Sequence, residues 1–199
     1  MIDQTDSSAG SPASAQPVME DHLARTLGAA VRDGQTVTSS GEPTARGLEG
    51  VRVHHLKTHI DDRGSLVEMY DPRWGFHPDP LVYAYSFTIR PGVAKGWGIH
   101  KLHDDRYFLL QGEVEVVLYD VRPDSSTCGQ VARYRLSEFD RSLLSIPKLV
   151  WHATRNLGAK DFVGVNFPTM PFDHADPDKY RLPLDTPLIP FSFDGTPGW

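Results

Sequence analysis

Cysteine occurs once in 199 residues, at Cys128, so no disulfide within the chain can brace the fold, and the composition suits a reducing compartment. Clusters of positive charge are also missing. The 20 Lys and Arg are scattered among 26 Asp and Glu, giving a net charge of −6 and a pI near 5.8. A nucleic-acid footprint needs a concentrated basic face, so that class of partner is set aside. No apolar run approaches the roughly 20 residues of a membrane span. The first stretch, MIDQTDSSAGSPASAQPVME, lacks the basic start and apolar core of a secretion signal. The expectation is a soluble cytoplasmic protein with neither a nucleic-acid nor a membrane partner. What remains is enough for one core: 39% of residues are hydrophobic.

Large apolar side chains are scarce up to about Gly47, where Ser, Ala, Gly, Thr and Asp dominate. Residues 1–47 are therefore read as a flexible tail that buries too little to offset its ordering entropy. Leu23, Leu27 and Val31 recur at helical spacing and predict a short helix from about Glu20 to Arg32. From residue 48 to 199 the texture is that of an all-β domain. Predicted strands are Val51–Lys57, Ser65–Tyr70, Leu81–Ile89, Tyr107–Leu110, Glu113–Tyr119, Val131–Leu136, Ser142–Ile146 and Phe162–Asn166. Turn signals separate them at Asp61-Asp62-Arg63-Gly64, Arg90-Pro91-Gly92, Gln111-Gly112 and Arg122-Pro123-Asp124. Prolines 168, 171, 177, 183, 187 and 190 rule out helix or central strand near the end, so that segment should wrap the outside.

The chemistry concentrates between Pro91 and Gly112, PGVAKGWGIHKLHDDRYFLLQG. Gly92, Gly98, His100, Asp105 and Gly112 fall on the spacing G-x5-H-x-H-x4-E-x6-G. Gly98 stands in for the first histidine and Asp105 for the glutamate. Downstream, Pro147, His152 and Asn156 follow G-x5-P-x-G-x2-H-x3-N, with Arg141 and Leu149 at its glycine positions. The two patterns, in this order, resemble the cupin superfamily, whose fold is a double-stranded β-helix or jelly-roll barrel.

Within that superfamily the chain from Val51 to about Phe191 looks like the dTDP-4-dehydrorhamnose 3,5-epimerase family. Asp62-Arg63-Gly64 with Glu68 is similar to its D-x-R-G-x-F-x-E entrance. Gly112, Val114, Val117, Asp120 and Arg122 fit G-x-V-x-D-V-x-V-D-x-R. Ser125, Thr127 and Gly129 fit S-P-T-x-G, and Ile146, Pro147 and His152 fit I-P-x-G-F-x-H. The resemblance implies an isomerase that takes a proton from beside the 4-keto group of a nucleotide-linked 6-deoxy sugar and returns one to the other face. No cofactor is implied, and a homodimer is. His100 would be the base and Asp185, one residue off the family's position, the carboxylate that orients it. Lys101, Arg106, Tyr83, Tyr85 or Tyr107 could substitute for the family's lysine and acid, with Tyr107 as the catalytic one. Arg63 and Glu68 would meet the nucleotide across a dimer interface. Lys95, Trp97, Arg106 and His152 would complete the substrate contacts.

The departures are specific. Counted back from Gly112, the family's enolate-stabilising lysine falls on Asp105, which reverses the charge. Counted forward from His152, its tyrosine acid falls on Val165. Asp105 also opens a second reading. His100, Asp105 and His152 are two imidazoles and a carboxylate, a set that holds one divalent metal such as Fe or Zn with positions left open. His103 joins that set only if the backbone bends after His100, because strand side chains alternate. A third reading is a non-catalytic binding or assembly protein on the same barrel.

Overall fold

A computed structural model describes residues 16–41 and 47–198. The chain divides between Arg46 and Gly47 into two compact units. In the first, one helix, α1 (Gln16–Ala29), carries exposed Leu23 and Leu27 on its surface. It starts and ends earlier than its apolar spacing suggests. Of the flexible tail expected at residues 1–47, residues 1–15 and 42–46 lie outside the described residues.

The second unit is built from twelve strands: β1 (Arg52–His55), β2 (Thr58–Asp61), β3 (Gly64–Val67), β4 (Tyr85–Ile89), β5 (Ala94–Ile99), β6 (Asp105–Gln111), β7 (Glu113–Asp120), β8 (Val131–Ser137), β9 (Ser142–Ile146), β10 (Val150–Asn156), β11 (Phe162–Asn166) and β12 (Tyr180–Leu182). Two five-stranded sheets, ordered β1-β9-β6-β11-β4 and β12-β5-β10-β7-β8, form a jelly roll in which each named pair is antiparallel. Strands β2 and β3 form a separate hairpin. The inner faces bury Leu109, Val114, Val116, Leu118, Leu144, Ile146 and Phe162, every second residue of β7 among them.

Four strands were not anticipated. β2 lies beyond the end of the predicted first strand, and β5 holds two glycines that weaken its strand signal. β10 has four polar residues among its seven, and β12 is a three-residue edge strand inside the Pro-rich segment. Proline tolerates an edge, so the wrap and the short strand coexist. The predicted strand from Leu81 begins only at Tyr85, because Pro78 and Pro80 remove amides just upstream.

The wrap is held down by charge and ring stacking. Glu115 is fully buried and receives Arg133 Nε at 2.7 Å and Arg155 Nη2 at 2.8 Å. The same two guanidinium groups lie over the rings of Phe191 and Phe193, at 5.7 and 5.8 Å from the ring centres. This fixes the segment that carries β12 against β5, where it pairs Tyr180 with Ile99, Arg181 with Gly98 and Leu182 with Trp97.

Candidate active site

β5 ends at Ile99 and the chain bends through residues 100–104 before β6 begins. The bend defeats strand alternation and turns His100 and His103 to the same side, with ring centres 4.1 Å apart. His103 is buried rather than solvated. β6 then points Asp105 inward, and β10 brings His152 across from Gly98. A Cβ on Gly98 would sit 3.3 Å from His152 Nε2, so the histidine usual at that position in cupins would need the space His152 occupies.

Asp105 is the centre of the group. His100 Nε2 lies 3.3 Å and His152 Nε2 3.6 Å from its Oδ2, and His103 Nε2 is 3.7 Å from Oδ1. Asn166 Nδ2 donates to Oδ1 at 2.7 Å, while Oδ2 is buried with no well-directed hydrogen bond. Each histidine is fixed from behind. His100 Nδ1 donates to the Asp178 carbonyl at 2.5 Å, His103 Nδ1 to the Asp178 carboxylate at 2.9 Å, and His152 Nδ1 to the Val150 carbonyl at 3.2 Å. These bonds set the tautomers, so each Nε2 faces Asp105.

Burial opposes charge throughout the cluster, but the balance differs for each member. For His100 the burial penalty is outweighed by the hydrogen bond and charge of Asp105 and by Asp178, and its pKa rises. Burial dominates for His152, which is pushed down to about 4. His103 is lowered for the same reason, with His100 adding repulsion. Asp105 pays the largest burial penalty, yet His100, His152 and Asn166 hold it well below the usual carboxylate range. Physically this is one imidazole–carboxylate pair, His100 with Asp105, in which His100 is made more basic while the two flanking imidazoles are made less so. One ligand atom each from His100, Asp105 and His152 also lie within 4.8 Å of one another, a spacing that a divalent cation would fit.

The group opens on a cavity of about 180 Å³ between the sheets, lined by Tyr85, Phe87, Lys95, Gly98, Tyr107, His152, Lys179 and Arg181 among others. A smaller one of about 30 Å³ is lined by Tyr83, Tyr85, His100, His103 and Lys179. Desolvation raises the phenol pKa of Tyr107 well above its ordinary value and that of Tyr85 to about 12, with Asp105 adding to both. Both phenols stay protonated at neutral pH.

His100, Asp105, Tyr107, His152 and Lys95 are thus brought together, while other expected site residues lie elsewhere. Asp185 is exposed in a turn, and the group that orients His100 is Asp178 instead. Trp97 is buried behind the strand among Ala94, Val117 and Phe193. Arg106 alternates away from Asp105 and is consumed by loop carbonyls. Arg63 is exposed on the β2–β3 hairpin, paired with Asp61 at 2.5 Å, and Glu68 is exposed on a separate surface hollow. Neither lines the cavity within the single chain. Val165 packs against the buried cluster of Phe76, Phe108, Leu143 and Phe167, and its neighbour Asn166 bonds Asp105 instead. Sequence reasoning missed Asp178 and Lys179, which sit in a Pro-rich stretch without periodicity. A residue pair opposite the end of a histidine strand was the one available signal.

Comparison with known proteins agrees with this fold. The sequence pattern of the dTDP-4-dehydrorhamnose 3,5-epimerase family matches residues 45–163. The spore coat polysaccharide biosynthesis protein SpsL of Bacillus subtilis is 36% identical over 149 residues, 74% of this chain and 97% of its own. The chain belongs to this family. A Haloferax volcanii protein named as a probable low-salt glycan biosynthesis epimerase is 33% identical, over 69% of this chain and 89% of its own. The crystal structure of a dTDP sugar isomerase from Desulfovibrio desulfuricans superposes with a TM-score of 0.70 at 28% identity, covering 76% of this chain and 96% of that one. The family and its jelly-roll cupin fold make this chain an epimerase of the dTDP-sugar type. No helix among the described residues is long and apolar enough to cross a membrane.

Proposed function

We propose that this enzyme epimerises a dTDP-linked 4-keto-6-deoxy sugar, with His100 as the base that removes the proton beside the ketone. The observation that carries the proposal is the pinning of His100: Nδ1 on the Asp178 carbonyl, Nε2 against the Asp105 carboxylate, beside a cavity edged by tyrosines and lysines. Asp105 stabilises the imidazolium that forms when His100 takes the proton, which favours the transition state over the ground state. Tyr107, kept protonated by its buried setting, returns a proton to the other face. Lys95 and His152 contact the substrate at the cavity wall. Arg63 and Glu68 meet the nucleotide from a second copy, in a cytoplasmic homodimer.

The reaction as proposed uses no metal. The position a cation would take beside Asp105 Oδ2 is assigned to the proton that His100 Nε2 gains from the substrate. The test is solvent-deuterium incorporation into dTDP-4-keto-6-deoxyglucose, followed by mass spectrometry. Exchange by the chelator-treated enzyme, abolished in His100→Ala, supports the reading. Exchange that disappears on chelation and returns with Fe(II) or Zn(II) replaces it with a metal enzyme. No turnover under either condition leaves a binding protein.

A further inference from the structure

The family places its enolate-stabilising cation at a position where this chain carries Asp105, so the negative charge that develops on the sugar's ketone oxygen needs another partner. The barrel strands offer few. Arg106 spends its guanidinium on loop carbonyls and a tyrosine hydroxyl. Lys101 has its ammonium over the ring of Tyr180, 4.2 Å from its centre. Lys95 lines only the larger cavity and sits over Phe87 at 5.5 Å. Arg181 likewise lines only the larger cavity.

Lys179 differs from all four. Among the described residues it is the one cation that lines both cavities, meeting Tyr107 and His152 in one and His100 and His103 in the other. Its ammonium has no ion pair or hydrogen bond among the described residues. The backbone explains its position. Antiparallel pairing of Tyr180 with Ile99 puts the next peptide, Asp178–Lys179, opposite His100. The carbonyl of that peptide is the acceptor for His100 Nδ1. One peptide unit therefore orients the base and starts the side chain that enters the site.

We propose that Lys179 is the catalytic cation of this enzyme, donating a hydrogen bond to the ketone oxygen as it becomes an enolate. The assignment rests on the epimerase reading above. In the step, the C–H bond beside the ketone breaks and its proton goes to His100 Nε2. The electron pair forms the C=C bond, and the carbonyl π pair moves onto oxygen, where Lys179 holds it. Reprotonation by Tyr107 reverses the electron flow, so no oxidant or reductant is needed. Burial, together with repulsion from Arg181 and Lys95, lowers the lysine's pKa against the attraction of Asp105, which makes it a better matched donor to an enolate than a fully solvated ammonium. The job has moved from a barrel strand to the C-terminal wrap, and Asp105 has been freed to pair with the base.

The test compares unaltered enzyme with Lys179→Met and Lys179→Arg. It measures the rate of deuterium exchange into dTDP-4-keto-6-deoxyglucose and the affinity for dTDP by calorimetry. Removing one oxyanion donor costs on the order of 10²–10³ in turnover. The expected result for Lys179→Met is a loss of that size in kcat with dTDP affinity changed less than about threefold, and for Lys179→Arg partial recovery. Loss of dTDP affinity with kcat preserved would overturn the assignment, making Lys179 a phosphate contact. Unchanged kinetics in both variants would also overturn it while leaving the epimerase reading intact. If the unaltered enzyme binds dTDP but exchanges nothing, the epimerase reading falls, and the role of Lys179 with it. Near-ultraviolet circular dichroism and retained dTDP binding show that each variant is folded.

Discussion

Asp178 grips the active-site bend twice: its carbonyl accepts from His100 Nδ1 at 2.5 Å, and its carboxylate takes His103 Nδ1 and the backbone amides of Lys101 and Leu102 at 2.8–3.1 Å. A base that must reach a carbon acid is held by a segment more than seventy residues away in sequence, so the wrap is part of the site.

Asp178→Ala keeps the carbonyl and removes the carboxylate. The amides of Lys101 and Leu102 and the His103 imidazole then lose their acceptor in a partly buried place. Losing hydrogen bonds to a charged acceptor costs about 1.5–3 kcal/mol each before water replaces any of them. Urea denaturation should show a loss of at least about 2 kcal/mol, and exchange activity should fall as the bend loosens. Unchanged stability would mean that the bend is held by other contacts.

Asp105→Asn tests the charge that faces the base. The carboxylate raises the pKa of His100, so its removal should lower that pKa. A base works when deprotonated, so the exchange rate of the unaltered enzyme should rise with pH through an inflection above the ordinary histidine value of 6.5. In Asp105→Asn the inflection should move to lower pH, while the plateau rate drops because the imidazolium is no longer stabilised. A plateau loss without movement of the inflection would place Asp105 in a purely structural role.

How far the site can be read from sequence follows the geometry of the strands. His100, Asp105 and His152 were legible because the two cupin motifs are spaced by strands and turns of fixed length. Arg106 was misplaced because it is adjacent to Asp105 in sequence, and adjacent strand residues face opposite sides. His103 was underrated because the bend after Ile99 carries no residue signal of its own. Asp178 and Lys179 were invisible for another reason: no hydrophobic period runs through the Pro-rich wrap, and only the pairing of β12 with β5 brings them to His100. The scaffold is written in repeated local patterns, while the repositioned chemistry depends on one long-range register.

His152 gives the fold a defined acid sensitivity. Its pKa falls from 6.5 to about 4 on folding, chiefly because burial disfavours the cation. The unfolded chain therefore binds more protons than the folded one between those values, and stability rises with pH across that window. Its contribution is complete above about pH 6.5, shrinks as the pH falls, and is gone below about 4. His103 acts in the same direction. Urea midpoints measured from pH 7 to pH 4 should fall steadily in the unaltered protein and less steeply in His152→Gln. Equal slopes would show that folding does not lower the pKa of His152.

Arg106 separates stability from catalysis. Its guanidinium is fully buried and donates to five oxygens: the carbonyls of Asp79, Pro80, Phe167 and Pro168 and the hydroxyl of Tyr70, at 2.6–3.2 Å. It ties the irregular segment before β4 to the chain leaving β11, and its planar fork suits this many acceptors in fixed directions. Lysine has three donors on a point charge, so Arg106→Lys must leave at least two of these buried or part-buried oxygens without their present donor, at about 1–3 kcal/mol each. Urea denaturation should therefore report a loss of at least about 2 kcal/mol, with Arg106→Met worse because the acceptors lose all their donors. Below the new unfolding transition, kcat for exchange should stay within a few-fold of the unaltered enzyme, since the side chain points away from the cavity. A variant of undiminished stability that had lost exchange would instead put Arg106 on the substrate, and the residue would return to the role its place in sequence suggests.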